Sequence, residues 1–174
     1  MAGRPGPRHA ECVLIRTATA ADWPAIWPFF HAIVAAGETY TYPRDLDEAT
    51  AREMWLLAPP GHTVVAVDDA GAVLGTAKMH PNHMGGASHI ATASFMVDPQ
   101  YGGRGAGRAL GEYVLDRARA EGYRAMQFNA VVETNTGAVA LWKSLGFQIM
   151  TTLPEGFRHP TKGYVGLHIM YQQL

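Results

Sequence analysis

One cysteine, Cys12, stands in 174 residues, so no disulfide can close within the chain and the stapled scaffolds of small secreted domains are excluded. Charge of one sign is also missing. The 14 Lys and Arg residues offset 15 Asp and Glu, for a formal net charge of -1, which leaves no field to gather nucleic acid or anionic lipid. No uninterrupted apolar stretch approaches the ~18 residues of a membrane span. The opening MAGRPGPRHAE lacks the apolar segment of a secretion signal. These absences point to a small-molecule ligand and to the reducing cytoplasm. What is present is apolar content of 48% against 17% charged, enough for one packed core and short for two. No repeat or linker divides the chain. The expected organisation is a flexible tail over residues 1–11 and a single domain over residues 12–174.

The periodicity alternates between strand and helix, an α/β (α+β) ordering. Val13 to Thr17 reads as a first strand, with Cys12 beside it as a small buried apolar group rather than a nucleophile. Asp22, Trp23 and Pro24 open a helix whose stripe is Ile26, Phe29, Phe30, Ile33 and Val34, ended by Gly37. A second helix is predicted from Asp47 to Leu57, stopped by Pro59 and Pro60. The runs HTVVAV and AVLGTAKM flank Asp68-Asp69-Ala70-Gly71 as a hairpin, and HIATASFMV forms the next strand. A helix with Ala106, Leu110, Val114 and Ala118 on one face runs to Gly122. AMQFNAVV is a strand, Asn135 to Leu145 a helix, and FQIMTT and YVGLHIMY are the last strands.

Between HIATASFMV and the third helix stands DPQYGGRGAGR. A strand-to-helix turn presents unpaired N–H groups and the positive end of the helix dipole, which favours an anion. Gly102, Gly103, Gly105 and Gly107 permit positive φ and close approach of a phosphate, while Arg104 and Arg108 add charge. The turn lacks the lysine and hydroxyl of a Walker loop, and Leu110 stands where a dinucleotide fingerprint needs Gly or Ala.

The spacing Gln100-x-x-Gly103-x-Gly105 resembles the acyl-CoA pyrophosphate loop of the GCN5-related N-acetyltransferase (GNAT) superfamily. VVETNTGAVALWKSLGF is similar to that superfamily's later segment, in which an asparagine opens a helix ending in Leu-Gly-Phe. The resemblance spans Ala72 to Phe147. It implies a mixed, mostly antiparallel twisted sheet of six to seven strands flanked by about four helices. Acetyl-CoA is then the co-substrate, with no metal. The pyrophosphate would lie on the amides of Arg104, Gly105, Ala106, Gly107 and Arg108, with Gln100 and Gly103 in the same loop. Phe95, Met96 and Val97 would pair with the pantetheine arm, and Met96 or Val97 would donate to the thioester oxygen. A homodimer is compatible with the superfamily.

A narrower resemblance, over HPNHMGGASHIATASFMV and FNAVVETN, is to a yeast member that acetylates azetidine-2-carboxylate and other proline analogues. Its functional asparagines fall on Asn129 and Asn135, and a third falls on Thr92. Asn135 can equally cap a helix, or do both. Asn129 is either a satisfied core amide or a ligand contact. The tyrosine that many members carry in the late helix aligns with Trp142, whose spacing from Ala138 and Leu145 suits packing. His89 and Glu133 are candidate bases, each with an ordinary structural use as alternative. Glu38, Tyr40 and Tyr42 in GETYTYP could line an acceptor cleft, and Arg158 could hold a substrate carboxylate through two parallel hydrogen bonds. His80 and His83 lack the helical spacing of common zinc pairs and read as structural. An acyl-CoA-binding sensor without turnover is the other functional class these residues allow.

Overall fold

A computed structural model of the chain describes residues 13–174; Cys12 and the expected tail lie outside the described residues. The strands are β1 (Leu14–Thr17), β2 (His62–Val67), β3 (Val73–Pro81), β4 (Ile90–Val97), β5 (Ala125–Val132), β6 (Gln148–His159) and β7 (Gly163–Gln173). The helices are α1 (Trp23–Ala36), α2 (Glu48–Trp55), α3 (Ala106–Ala120) and α4 (Thr136–Ser144). Local chemistry explains their ends. Pro24 sits in the first turn of α1, where its missing N–H costs nothing, and Gly37 closes the helix in the left-handed region at φ 69°. The Asp47 side chain accepts from Thr50 N at 3.0 Å and so caps α2. Asp68 accepts from Ala70 N and Ala72 N, which holds the β2–β3 turn.

All seven strands form one sheet in the order β1-β2-β3-β4-β5-β7-β6. Every neighbouring pair is antiparallel except β4 with β5. The mixed, mostly antiparallel sheet and four helices agree with the expected fold. One core packs α3 and α4 on one face of the sheet around Leu74, Met79, Leu110, Val114, Phe128, Trp142 and Met170. The other packs α1 and α2 on the opposite face around Ile26, Phe30, Trp55, Val65 and Met96. Among the described residues no helix is long and apolar enough to cross a membrane.

The departure from the sequence reading lies at the end. FQIMTT is only the start of β6, which continues through GFRH to His159 with two register shifts. A leucine, a proline, an acid and a glycine in a row hide the period of two, but the long partner β7 holds the segment in the sheet. Bulges of this kind let a strand absorb residues that break its alternation.

Candidate active site

The site begins where the sheet stops pairing. β4 and β5 meet in parallel only at Ile90↔Ala125 and Ala91↔Met126, and beyond those residues they diverge. The ladder on the other side of β4 decides which backbone groups face the gap. Asn82 N donates to Ile90 O at 2.8 Å and Asp98 N to Leu74 O at 2.9 Å. In an antiparallel ladder such bonds recur every second residue, so the even-numbered residues of β4 turn their amides to β3. Ala93, Phe95 and Val97 turn theirs to the gap. The Met96 N–H, a sequence candidate for the thioester donor, faces Thr76 across the β3 ladder, and its side chain is buried against α1 and α2. Phe95 and Val97 present their N–H groups to the gap.

Immediately after β4, Asp98 accepts from Gln100 N at 2.9 Å and starts a short turn over Pro99–Tyr101. Gly103 and Gly105 follow at φ +78° and +85°, and a Cβ placed on either would meet nothing within 4 Å. Backbone conformation, not crowding, requires glycine there, and the space beside the loop is open. Gly102 has φ -55° and does not need that freedom. Helix bonding in α3 begins with Ala109 N donating to Gly105 O at 3.0 Å, and Gly105 offers no side-chain cap. The amides of Ala106, Gly107 and Arg108 therefore have no acceptor within the helix. The two arginine side chains are held elsewhere. Arg104 reaches Asp68 at 3.8 Å and lies over the Tyr101 ring. Arg108 donates to Ser144 Oγ at 2.8 Å and approaches Glu112. An anion here would be held mainly by backbone.

Beside the gap lies a cleft of about 340 Å³ lined by Thr39 to Tyr42, Lys78, His80, Asn82, Thr92 to Phe95, Phe128 to Val132, Asn135, Ala138 and Trp142. Thr92, Asn129 and Asn135 all line this cleft. Asn135 caps α4, its Oδ1 accepting from Ala138 N at 3.3 Å, and its Nδ2 is free for a ligand. Asn129 is not a core amide. It is exposed, accepts from Gln127 Nε2 at 2.8 Å and donates to Asn82 Oδ1 at 2.7 Å, leaving one N–H for the cleft. Thr92 is buried. Trp142 is core-packed as expected, its ring 4.6 Å from Phe95 and 5.0 Å from Phe128.

Tyr40 and Tyr42 line the cleft and Glu38 does not: Glu38 is exposed beside it. Arg158, the sequence candidate for a substrate carboxylate, is exposed on the long β6 and lies outside this lining. His89 is exposed at the start of β4 and also lies outside the lining. The Glu133 carboxylate accepts from Gly166 N and so ties β5 to β7. Neither candidate base reaches the cleft wall.

Two lining groups, Asn82 and Lys78, escaped the sequence reading, and a third, His80, was read there as structural. His80 sits at the end of β3 with Nδ1 2.8 Å from Pro81 O; a proton on Nδ1 then leaves Nε2 with a lone pair. Asn82 joins the rim amides. Lys78 is 8% exposed; its Nζ donates to Met54 O at 2.8 Å and lies 5.3 Å and 5.8 Å from the ring centroids of Trp55 and Tyr42. A lysine inside the apolar run AVLGTAKM was the available signal, since lysine is rarely buried without a partner.

The tyrosines stay protonated. Burial pushes the Tyr40 phenol far above its ordinary range, and its hydroxyl donates to Phe95 O. Burial also raises Tyr42, with a hydrogen bond from Ser94 opposing it. Desolvation lowers Lys78.

Residues 27–147 match the acetyltransferase (GNAT) family. A solved GCN5-related N-acetyltransferase from Kribbella flavida is 55% identical, with 93% of this chain and 98% of that chain covered at a TM-score of 0.91. A phosphinothricin acetyltransferase from Sinorhizobium meliloti, solved in complex with acetyl-CoA, is 24% identical, with 93% and 88% covered at a TM-score of 0.84; that likeness is one of fold. N-acetyltransferase aca1 of Schizosaccharomyces pombe is 31% identical over 111 residues, 63% of this chain. The chain spans about half of that relative, 53% of its length.

Proposed function

Because the chain belongs to the acetyltransferase (GNAT) family, we propose that it is an acetyl-CoA-dependent N-acetyltransferase that acts directly on the amine of a small molecule, an amino acid or a proline analogue. One observation carries the reading. The gap between β4 and β5 opens beside the α3 N-terminus, so an unpaired strand edge and a row of unpaired helix amides lie end to end. An extended amide arm with a diphosphate at one end matches that pairing.

In this reading the amides of Gly105, Ala106, Gly107 and Arg108 hold the pyrophosphate, and Phe95 and Val97 pair with the pantetheine arm. An N–H of this edge donates to the thioester oxygen as it becomes an oxyanion, a contact worth ~10² or more in rate. The attacking amine must be neutral. His80 Nε2, on the cleft wall, is the base that takes its proton. Asn129 and Asn135 orient the acceptor and the acetyl group. When the tetrahedral adduct collapses, the C–S bond breaks and the thiolate leaves with the electron pair. Tyr40 fixes the acceptor loop to the reacting edge through Phe95 O. The proline-analogue reading rests on the resemblance in residues 80–97 and 128–135, with Thr92 shorter than the asparagine it replaces. The same reading takes residues 12–174 as one cytoplasmic domain and a homodimer as its assembly, for which Met150, Leu153 and Tyr164 offer exposed apolar surface.

Trp142 cannot supply a proton, which favours a second reading as an acyl-CoA sensor. Incubation with acetyl-CoA and a panel of amino acids and proline analogues separates the two. Acceptor-dependent release of free thiol is expected; tight CoA binding with no thiol released across the panel would establish the sensor instead.

A further inference from the structure

A buried ammonium needs an anion, and the cleft contains none for Lys78. The residue is 8% exposed, yet no carboxylate among the described residues lies within ion-pair distance of Nζ. One of its three N–H donors goes to Met54 O, and the Trp55 and Tyr42 rings supply only their electron-rich faces. An isolated buried cation is costly. Aromatic faces and one carbonyl offset part of that cost. Lys78 stands opposite Ser94 in the β3–β4 register and lines the same cleft as Asn129, Asn135 and His80. Two donors remain on a charge that borders the space where an acceptor would sit.

We propose that Lys78 binds the carboxylate of the acceptor, so that the substrate is an amino acid held by its acid group with its amine turned to the β4 edge. This rests on the acetyltransferase reading for the turnover, but the recognition itself requires only the cleft. Desolvation makes the free ammonium easier to deprotonate, and a bound carboxylate reverses that effect. Arg158, the cation that the sequence suggested for this task, lies outside the cleft, and Lys78 is the lysine or arginine that lines it.

The test compares L-alanine, L-phenylalanine, L-methionine and L-proline with their α-carboxamides, by thiol release from acetyl-CoA and by tryptophan fluorescence titration, since Trp55 lies beside the ammonium. The wild-type protein is expected to favour an acid over its amide by roughly 10- to 150-fold, the range of a charged hydrogen-bonded pair. Lys78→Met should erase that preference by raising KM for the acid alone, with affinity for CoA unchanged, and Lys78→Arg should retain part of it. If Lys78→Met fails to fold, equal treatment of acid and amide by the wild-type protein still overturns the proposal, and a preference reduced in Lys78→Arg supports it. Equal treatment of acid and amide, a preference that survives in Lys78→Met, or no binding of any acid overturns the proposal. A binding preference for acids that is lost in Lys78→Met, with no thiol released here or across the wider panel of proline analogues, would uphold Lys78 and overturn the acetyltransferase reading.

Discussion

Replacing Gly105 by alanine separates the folding role of the glycine turn from its role with the ligand. At φ +85° a side chain costs about 1–2 kcal/mol through its contact with the following carbonyl. Because a Cβ there meets nothing within 4 Å, no packing term is added. For a domain of this size that cost corresponds to a fall in Tm of roughly 2–8 °C. The ligand should register more. The methyl group would enter the open space beside the amides of Ala106 and Gly107, and losing one charged hydrogen bond costs about 1.5–3 kcal/mol, a 10- to 150-fold weaker Kd. Gly122 supplies the control, at the other end of α3 with φ +81° and equally open space. Gly122→Ala should lower Tm by a similar amount and leave CoA affinity unchanged. Isothermal titration with CoA and thermal unfolding measure both quantities on the same preparations. If the two variants lose stability alike and also bind CoA alike, the turn does not hold the diphosphate.

Tyr40→Phe removes the hydroxyl donated to Phe95 O; it should cost about 1 kcal/mol in stability and lower kcat more than it changes affinity for CoA, and unchanged turnover would detach the acceptor loop from the reacting edge. His80→Gln should reduce kcat by about 10²-fold or more with little change in KM, the residual rate rising with pH as hydroxide replaces the base; activity within a few-fold of wild type would remove His80 from the chemistry. Trp142→Phe keeps an aromatic ring against Phe95 and Phe128, so turnover should remain within a few-fold, and complete loss would give the indole a role beyond packing. The Arg16 guanidinium beside Asp22 holds that carboxyl at about 2. A depressed carboxylate pKa stabilises the fold above its unfolded value near 4 and loses that contribution as pH falls toward 2. Tm of the wild type should therefore drop more steeply between pH 4 and pH 2 than that of Asp22→Asn, and parallel curves would refute the coupling.

What could be read from the chain alone was whatever neighbouring residues enforce on one another. Pro24 and Gly37 bound α1, Asp68 to Gly71 turn β2 into β3, and glycines 103 and 105 mark a backbone that other residues adopt at a cost. Asn129 and Asn135 were singled out by a resemblance carried on short segments, and both line the cleft. Tertiary structure alone decided which strands separate and which backbone amides face the separation, because both depend on hydrogen bonds to distant partners. It turned the amides of Phe95 and Val97, and not that of Met96, toward the separation through the β3 register. It set Arg158 on an exposed stretch of β6, outside the cleft lining, by extending that strand along β7. It placed Lys78 and His80 on the cleft wall, since a side chain's exposure to a ligand is set by the loop and helix folded over it rather than by its neighbours in sequence.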